Sequence, residues 1–239
     1  MEFYNSSSSE KSLYHDALSF AGISDTSQFP LTEFCRNANV WYRKGDSWIW
    51  EATGTWEFDD SKWTTLPVAT ATLVAAQQDY EIPSTARKID RVEILDSGAN
   101  YQILKPFDKS QIKGASMSEF YETDGLPAYY DLVGRSIMLY PAPAASSVTT
   151  TKGIKVYYAR DIDPFAITDT STEPGFDNHF HRVVSLGAAY DYCLANGIDD
   201  RKANIKNELK ELKVELQNHY SLRHRDMKPK LIPKDVDGI

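Results

Sequence analysis

Hydrophobic positions along the chain follow two different periods. Near the start, Leu13, Ala17, Phe20 and Ala21 fall at i, i+4, i+7 and i+8. That spacing predicts a short helix over residues 10–21, closed by Gly22. After Pro30, the positions Leu31, Phe34, Cys35, Ala38, Tyr42, Ile49 and Ala52 keep a helical spacing up to a stop at Gly54. Gly45 weakens the middle of this helix by about 1 kcal/mol relative to Ala. From about Trp63 to Arg160 the pattern changes to short β runs. The candidate strands are Ala71–Val74, Tyr80–Ile82, Lys88–Leu95, Tyr101–Leu104, Ala128–Val133, Ser136–Tyr140 and Ile154–Ala159, with turns at Asp96-Ser97-Gly98 and Gly134-Arg135. Residues 108–112 and 117–121 read as helical turns between strands.

The helical period returns after Pro174-Gly175. Phe180, Val183, Val184, Gly187, Tyr190 and Leu194 line one face as far as Asn196-Gly197. Gly187-Ala188-Ala189 forms a small-residue patch where another helix can approach closely. A last helix spans residues 200–220, with Ile205, Leu209, Leu212 and Leu216 as its apolar stripe. Residues 221–239 hold two prolines and no apolar period, and read as an extended tail. The fold expected is α+β. Residues 1–62 and 161–220 form a four-helix bundle, residues 63–160 an inserted small antiparallel β-sandwich or open barrel, and residues 221–239 an extended C-terminal tail.

Charge adds two features. At ~100° per residue, Lys202, Lys206, Lys210 and Lys213 cluster on one flank of the last helix's leucine stripe, and Glu208, Glu211 and Glu215 on the other. They do not cancel by i,i+4 pairing within the helix. A helix with one basic and one acidic edge suits a head-to-tail neighbour, and such heterologous contacts generate closed rings when the rotation closes. The plainer alternative is that both flanks are solvated or meet partners inside the bundle. The tail is the second feature. Arg223, Arg225, Lys228, Lys230 and Lys234 against Asp226 make residues 221–234 +4 net, which leaves -12 for the rest of a chain of formal net charge -8. A basic arm on an acidic body is suited to an acidic surface elsewhere, with Leu231-Ile232 between prolines able to add a strand or anchor in a groove. The alternative is a solvated terminus.

Composition narrows the classes. Hydrophobic residues at 41 % and charged residues at 25 % are an ordinary globular balance, so wholesale disorder is not expected. The net -8 argues against general affinity for nucleic acid or anionic membrane. No stretch approaches the ~18 apolar residues of a membrane span, and the Ser-rich start lacks the regions of a signal peptide. The chain is therefore expected to stay in a cytoplasm or in a particle assembled there. Cys35 and Cys193 have no CxxC partner and read as small buried hydrophobes.

The strongest candidate for chemistry is Asp177-Asn178-His179-Phe180-His181. Two histidines at i, i+2 chelate from a strand, but here they open a helix and point to different sides. Asp177 or Asn178 then reads as a helix cap. Asp59-Asp60 and Asp199-Asp200 read as turn and cap residues. No Gly-rich phosphate loop, GxSxG or paired Cys/His motif is present. No catalytic residue, metal site or cofactor is therefore expected. Trp41, Trp48, Trp50, Trp56 and Trp63 offer either a stacking platform for sugars or an aromatic core, and packing is the commoner use of such clusters.

The run Gly125-Leu126-Pro127-Ala128-Tyr129, its Gly134 turn, and the strand Ile137–Tyr140 ending in Pro141-Ala142-Pro143 resemble a pattern of phage head-tail adaptor proteins. Gln78-Asp79-Tyr80-Glu81-Ile82-Pro83 is similar to their Q-x-Y-x-L-P step. Glu173–Phe176, Phe180-His181-Arg182 and Gly187-Ala188-Ala189 look like the helix after their β insertion. The resemblance runs from about Leu31 to Leu231. It implies a virion neck protein: a dodecameric ring under the portal, a C-terminal arm docked on the portal, and a second face receiving the next neck or tail protein. DNA would pass through the lumen without specific binding during genome ejection. It carries no catalytic residues. On this reading Arg223, Arg225, Lys228, Lys230, Leu231 and Ile232 meet the portal. The intersubunit seam takes Lys206, Lys210, Lys213, Glu208, Glu211 and Glu215. A stopper or tail-completion ring is the nearest alternative, and a carbohydrate-binding module or a His179/His181 hydrolase the more distant ones.

Overall fold

The computed structural model describes residues 1–4, 12–54, 68–108 and 123–223. The chain is α+β and divides into two compact units, residues 1–61 with 162–239, and residues 62–161.

The first unit holds four α-helices among the described residues: α1 (Leu13–Ala21), α2 (Leu31–Thr53), α3 (Arg182–Ala195) and α4 (Asp199–Arg223). Gly22 and Gly54 end α1 and α2 at φ 73° and 67°. That left-handed geometry costs a side chain-bearing residue energy that glycine avoids. α3 is the centre. Val183 through Ala189 are all buried, with α1 and α2 packed on α3 and α4 packed on both α2 and α3. An aromatic cluster fills the core beside them. Phe3 stacks on Phe165 at 4.8 Å, Tyr42 stacks on Phe165 at 5.1 Å, and Phe34 tilts against Phe3 at 5.4 Å. Offset and tilted pairs of this kind add to the stabilisation from burial alone.

Gly187 makes the close approach that the small-residue patch implies. A Cβ built there would fall inside the indole of Trp41. Gly45 also has a packing reason, because a Cβ at that position would lie 3.3 Å from the Phe176 ring. Leu194, expected on the packed face of α3, is instead 54 % exposed. α3 emerges from cover after Cys193, and the turn that hydrogen-bonds the Ile198 N–H to the Cys193 carbonyl reverses the chain there. α4 runs three residues past the expected start of the tail. Tyr220 is buried, the Ser221 hydroxyl bonds the Asn218 carbonyl, and no proline intervenes before Pro229.

The second unit carries ten strands among the described residues: β1 (Val68–Ala71), β2 (Asp79–Glu81), β3 (Ala86–Leu95), β4 (Tyr101–Ile103), β5 (Lys105–Pro106), β6 (Asp124–Gly125), β7 (Tyr129–Val133), β8 (Ser136–Tyr140), β9 (Ala142–Pro143) and β10 (Ile154–Arg160). They form sheets ordered β1-β10-β3-β4 and β2-β8-β7-β5, with β6 and β9 as a pair. Their shared core includes Tyr80, Val92, Ile94, Leu104, Ile137, Leu139, Ile154 and Val156. The four-stranded sheets are otherwise antiparallel, but β5 pairs with β7 in parallel, as does β6 with β9. Each parallel pair joins two residues across a long intervening segment, as a parallel connection requires. The first strand lies at Val68–Ala71 rather than 71–74. Its partner β10 begins at Ile154, opposite Ala71, so the ladder ends there. Of the turns expected at 108–112 and 117–121, Asp108 is non-helical and the other residues lie outside those described.

Candidate functional site

α4 buries Ile205, Leu209, Leu216 and Tyr220 against the other helices. Its expected charged flanks flank that stripe. Two of the six charges singled out in the sequence are engaged within the chain. Glu208 pairs with Arg182 of α3 at 2.7 Å, and Lys213 lies 3.5 Å from Glu51 of α2. Gln217 donates to the same Glu51 carboxylate at 3.2 Å, and the Lys213 ammonium sits over the Trp48 ring. The neighbours arrive from α2 and α3, so an i,i+4 test on α4 alone could not find them. Lys202 is likewise tied to Asp199, which raises its pKa.

The other four differ. Lys206, Lys210, Glu211 and Glu215 are exposed, and none makes an ion pair or hydrogen bond among the described residues. Val214, 56 % exposed, lies between the two acids in sequence. The outward face of α4 therefore runs from a basic edge through an apolar centre to an acidic edge.

Trp41 is almost fully buried and packs on Gly187. Its indole N–H donates to Asp191 at 2.8 Å. Trp48 and Tyr190 stand edge-on to Trp41, 6.2 and 6.1 Å away, and the Lys44 ammonium lies 3.7 Å from the Trp41 ring centre. Trp41 therefore packs α2 onto α3. Trp56 and Trp63 lie outside the described residues.

The two histidines of the Asp177–His181 motif serve different ends. Asp177 caps a single 3-10 turn, Asn178–Phe180, by accepting from the His179 N–H. That bond and the His179 ring hold the Asp177 carboxyl below the usual range, with His219, 3.5 Å away, adding to the effect. His181 is buried. Its Nε2 lies 2.7 Å from the Phe176 carbonyl, which only accepts, so Nε2 carries the proton. Nδ1 is then the acceptor for the Met1 ammonium at 2.8 Å. Burial first, and that ammonium second, push the His181 pKa down. The same loop is fixed by Tyr42, whose hydroxyl accepts from the Gly175 N–H, and by Tyr220, which accepts from the Asp177 N–H. These contacts anchor the chain's entry into α3. Cys35 and Cys193 are both buried, and burial raises both thiol pKa values.

Two clefts open in the β unit among its described residues. One lies beside β1 and β2 over Ile137, Ile154 and Val156. The other lies between the start of β3 and the β7–β8 turn, beside Arg87, Lys88 and Arg135. Of the expected portal-binding residues, Arg223 is the last residue of α4, and Arg225, Lys228, Lys230, Leu231 and Ile232 lie outside the described residues.

The structural features thus concentrate on an outward helix face with separated charge. A comparison with curated proteins finds no match. A comparison with family models finds one, described as SU10 adaptor protein, over residues 30–226. That span takes in α2, every strand, α3 and α4, so the chain belongs to the SU10 adaptor protein family, a family of phage head-tail adaptors.

Proposed function

We propose that the protein is a structural ring subunit of a phage neck, seated beneath the portal, bridging the capsid vertex to the tail and leaving a conduit for DNA. Family membership implies a virion component that meets portal and tail proteins and has a structural role. The helices act as a bundle with the strands as an inserted lobe. The mechanism is assembly, without turnover or cofactor.

The observation that carries the ring reading is the outward face of α4. Lys206 and Lys210 lie on one edge and Glu211 and Glu215 on the other, all without partners among the described residues. A surface that carries both signs on opposite edges complements a copy of itself when copies meet head to tail, and such contacts form a ring where the rotation between copies closes. Glu208 and Lys213, with their partners Arg182 and Glu51, hold α4 against the body beside that seam. A dodecamer is the ring size proposed.

The basic segment containing Arg223, Arg225, Lys228, Lys230, Leu231 and Ile232 is the proposed portal-docking arm. It supplies positive charge to a partner and two apolar side chains between prolines. The acidic remainder of the chain suits a lumen that lets DNA slide without adhering.

Negative-stain imaging of the purified protein, alone and mixed with portal particles, tests this directly. A collar stacked on the portal is expected. Reversing the charges of the arm should abolish that collar while leaving the circular dichroism spectrum unchanged. A monomer that ignores the portal at micromolar concentration would overturn the reading. A collar that forms only after another neck protein has bound would assign the chain to the next ring along, a stopper.

A further inference from the structure

A seam needs two halves, and the α4 acidic edge is only one of them. We infer that its receiving half is a surface on α2, α3 and α4 of the neighbouring copy, formed by Val40, Lys44, Trp48, Tyr190, Leu194 and Lys206. The inference rests on the ring reading above and specifies which surfaces meet.

Val40, Lys44 and Trp48 follow at four-residue spacing and share one face of α2. Val40 is 42 % exposed, Lys44 is exposed and Trp48 is partly exposed. Tyr190 and Leu194, again four apart, share one face of α3, the first partly exposed and the second exposed. The two helices meet here, since Trp41 of α2 touches Tyr190 and bonds Asp191. Lys206 closes the third side. It shares its flank of α4 with Lys202, whose ammonium feels Tyr190, and with Lys213, which lies over Trp48. A residue on the same flank between those two lies along the same border.

The electrostatics favour an acidic guest. Three acids stand nearby, and each already has a partner: Glu51 with Lys213, Asp199 with Lys202, and Asp191 with the Trp41 indole N–H. Lys44 and Lys206 have no anionic partner among the described residues. The apolar content fits as well. Among the described helical residues the exposed large apolar side chains are Val40, Leu194, Val214 and Leu222. Val40 and Leu194 belong to the receiving surface. Val214 lies between Glu211 and Glu215, so the acidic edge carries its own apolar knob. Aromatic and aliphatic side chains rimmed by charge are the usual composition of an interface centre and its border.

The guest is therefore Glu211–Val214–Glu215 of a second copy, with Val214 against Trp48, Tyr190 and Leu194, and the two carboxylates toward Lys44 and Lys206. Donor and receiver lie on different faces of the same chain, so every copy offers one of each.

Three full-length variants test the pairing: K44E/K206E, E211K/E215K, and the four-fold swap. All four positions are exposed, so the fold is retained, as circular dichroism will verify. Native mass spectrometry at the concentration where wild type gives rings, or portal-templated collars where it does not, is the readout. Each double variant is expected to lose at least tenfold in assembled fraction. The four-fold swap, and an equal mixture of the two double variants, should regain it, because each restores opposite charges across every seam. Wild-type-like assembly of K44E/K206E would overturn the pairing and leave the adaptor reading intact. Loss without rescue in the swap would overturn it too. Failure of wild type to assemble, alone or on portal, would remove both readings together.

Discussion

Gly187→Ala offers a sharp test of how the helices are held. In an exposed helix this substitution stabilises by about 1 kcal/mol, since alanine is the better helix former. Here the new methyl would fall inside the Trp41 indole. Carbon atoms sit comfortably near about 3.5–4 Å, so the ring or the helix must retreat by more than about 1 Å. Trp41 has little room to do so. It is almost fully buried, and its indole N–H is held by Asp191 at 2.8 Å. Overpacking a well-filled core costs about 1–3 kcal/mol, and a weakened hydrogen bond to a charged group costs up to about 1.5–3 kcal/mol more. After subtracting the propensity gain, the net loss is about 2–4 kcal/mol. At roughly 2–4 °C per kcal/mol for a chain of this size, Tm falls by about 5–15 °C. Thermal melts followed by circular dichroism at 222 nm report the helices. In a Trp41→Leu background the same glycine change should become neutral or stabilising, because the obstructing ring is gone. If Gly187→Ala raises Tm in the wild-type background, the close packing of α2 on α3 is refuted.

Three further outcomes follow from the charged groups. His181 is neutral when folded, and burial with the Met1 ammonium depresses its pKa. The unfolded chain then binds the extra proton below about pH 6.5, so the stability this group contributes is complete above that value and is lost as pH falls toward the folded pKa; His181→Phe should flatten the drop in denaturation midpoint between pH 7.5 and 5, and an unchanged slope would show the site to be silent. Glu208→Gln breaks a half-exposed pair with Arg182 and should lower stability by no more than about 1 kcal/mol, with assembly intact. Glu211→Gln should do the reverse, leaving the melt unchanged and weakening assembly most at low ionic strength, since an exposed pair is screened by salt.

Much of the helical unit was legible because its signals are local. The αL glycines at 22 and 54, the Asn196-Gly197 stop and the Asp177 cap act within a turn of their own position, and each lies where the spacing placed it. Gly187 announced a close approach, but not that Trp41 would fill it, because the two are 146 positions apart. The long strands β3, β7, β8 and β10 were visible from their apolar runs. The two-residue strands β5, β6 and β9 have no period to detect, and they exist because a distant segment supplies the partner. Register was invisible for the same reason: β1 is set by β10, whose Tyr157, opposite Val68, lies 89 positions later. For the charged helix, the sequence located both edges of α4. It could not separate Glu208 and Lys213 from their four companions, because Arg182 and Glu51 reach them from other helices.

That separation bears on how the proposed ring would assemble. Had all six charges been satisfied within the chain, α4 would be a sealed face with nothing to offer a neighbour. Had none been, the helix would lean on its apolar stripe alone. The observed division uses Glu208 and Lys213 to fasten the helix to α3 and α2, and leaves Lys206, Lys210, Glu211 and Glu215 outward. Exposed pairs contribute only about 0–1 kcal/mol each, which is far less than the cost of bringing two free proteins together. On the proposed ring, a lone seam is then too weak to hold two copies in solution. A template that gathers the copies removes most of that cost in advance, and the same modest contacts become sufficient. On that proposal, weak, polarised edges favour assembly at the portal over aggregation in free solution, and their opposite signs dictate the order in which edges meet.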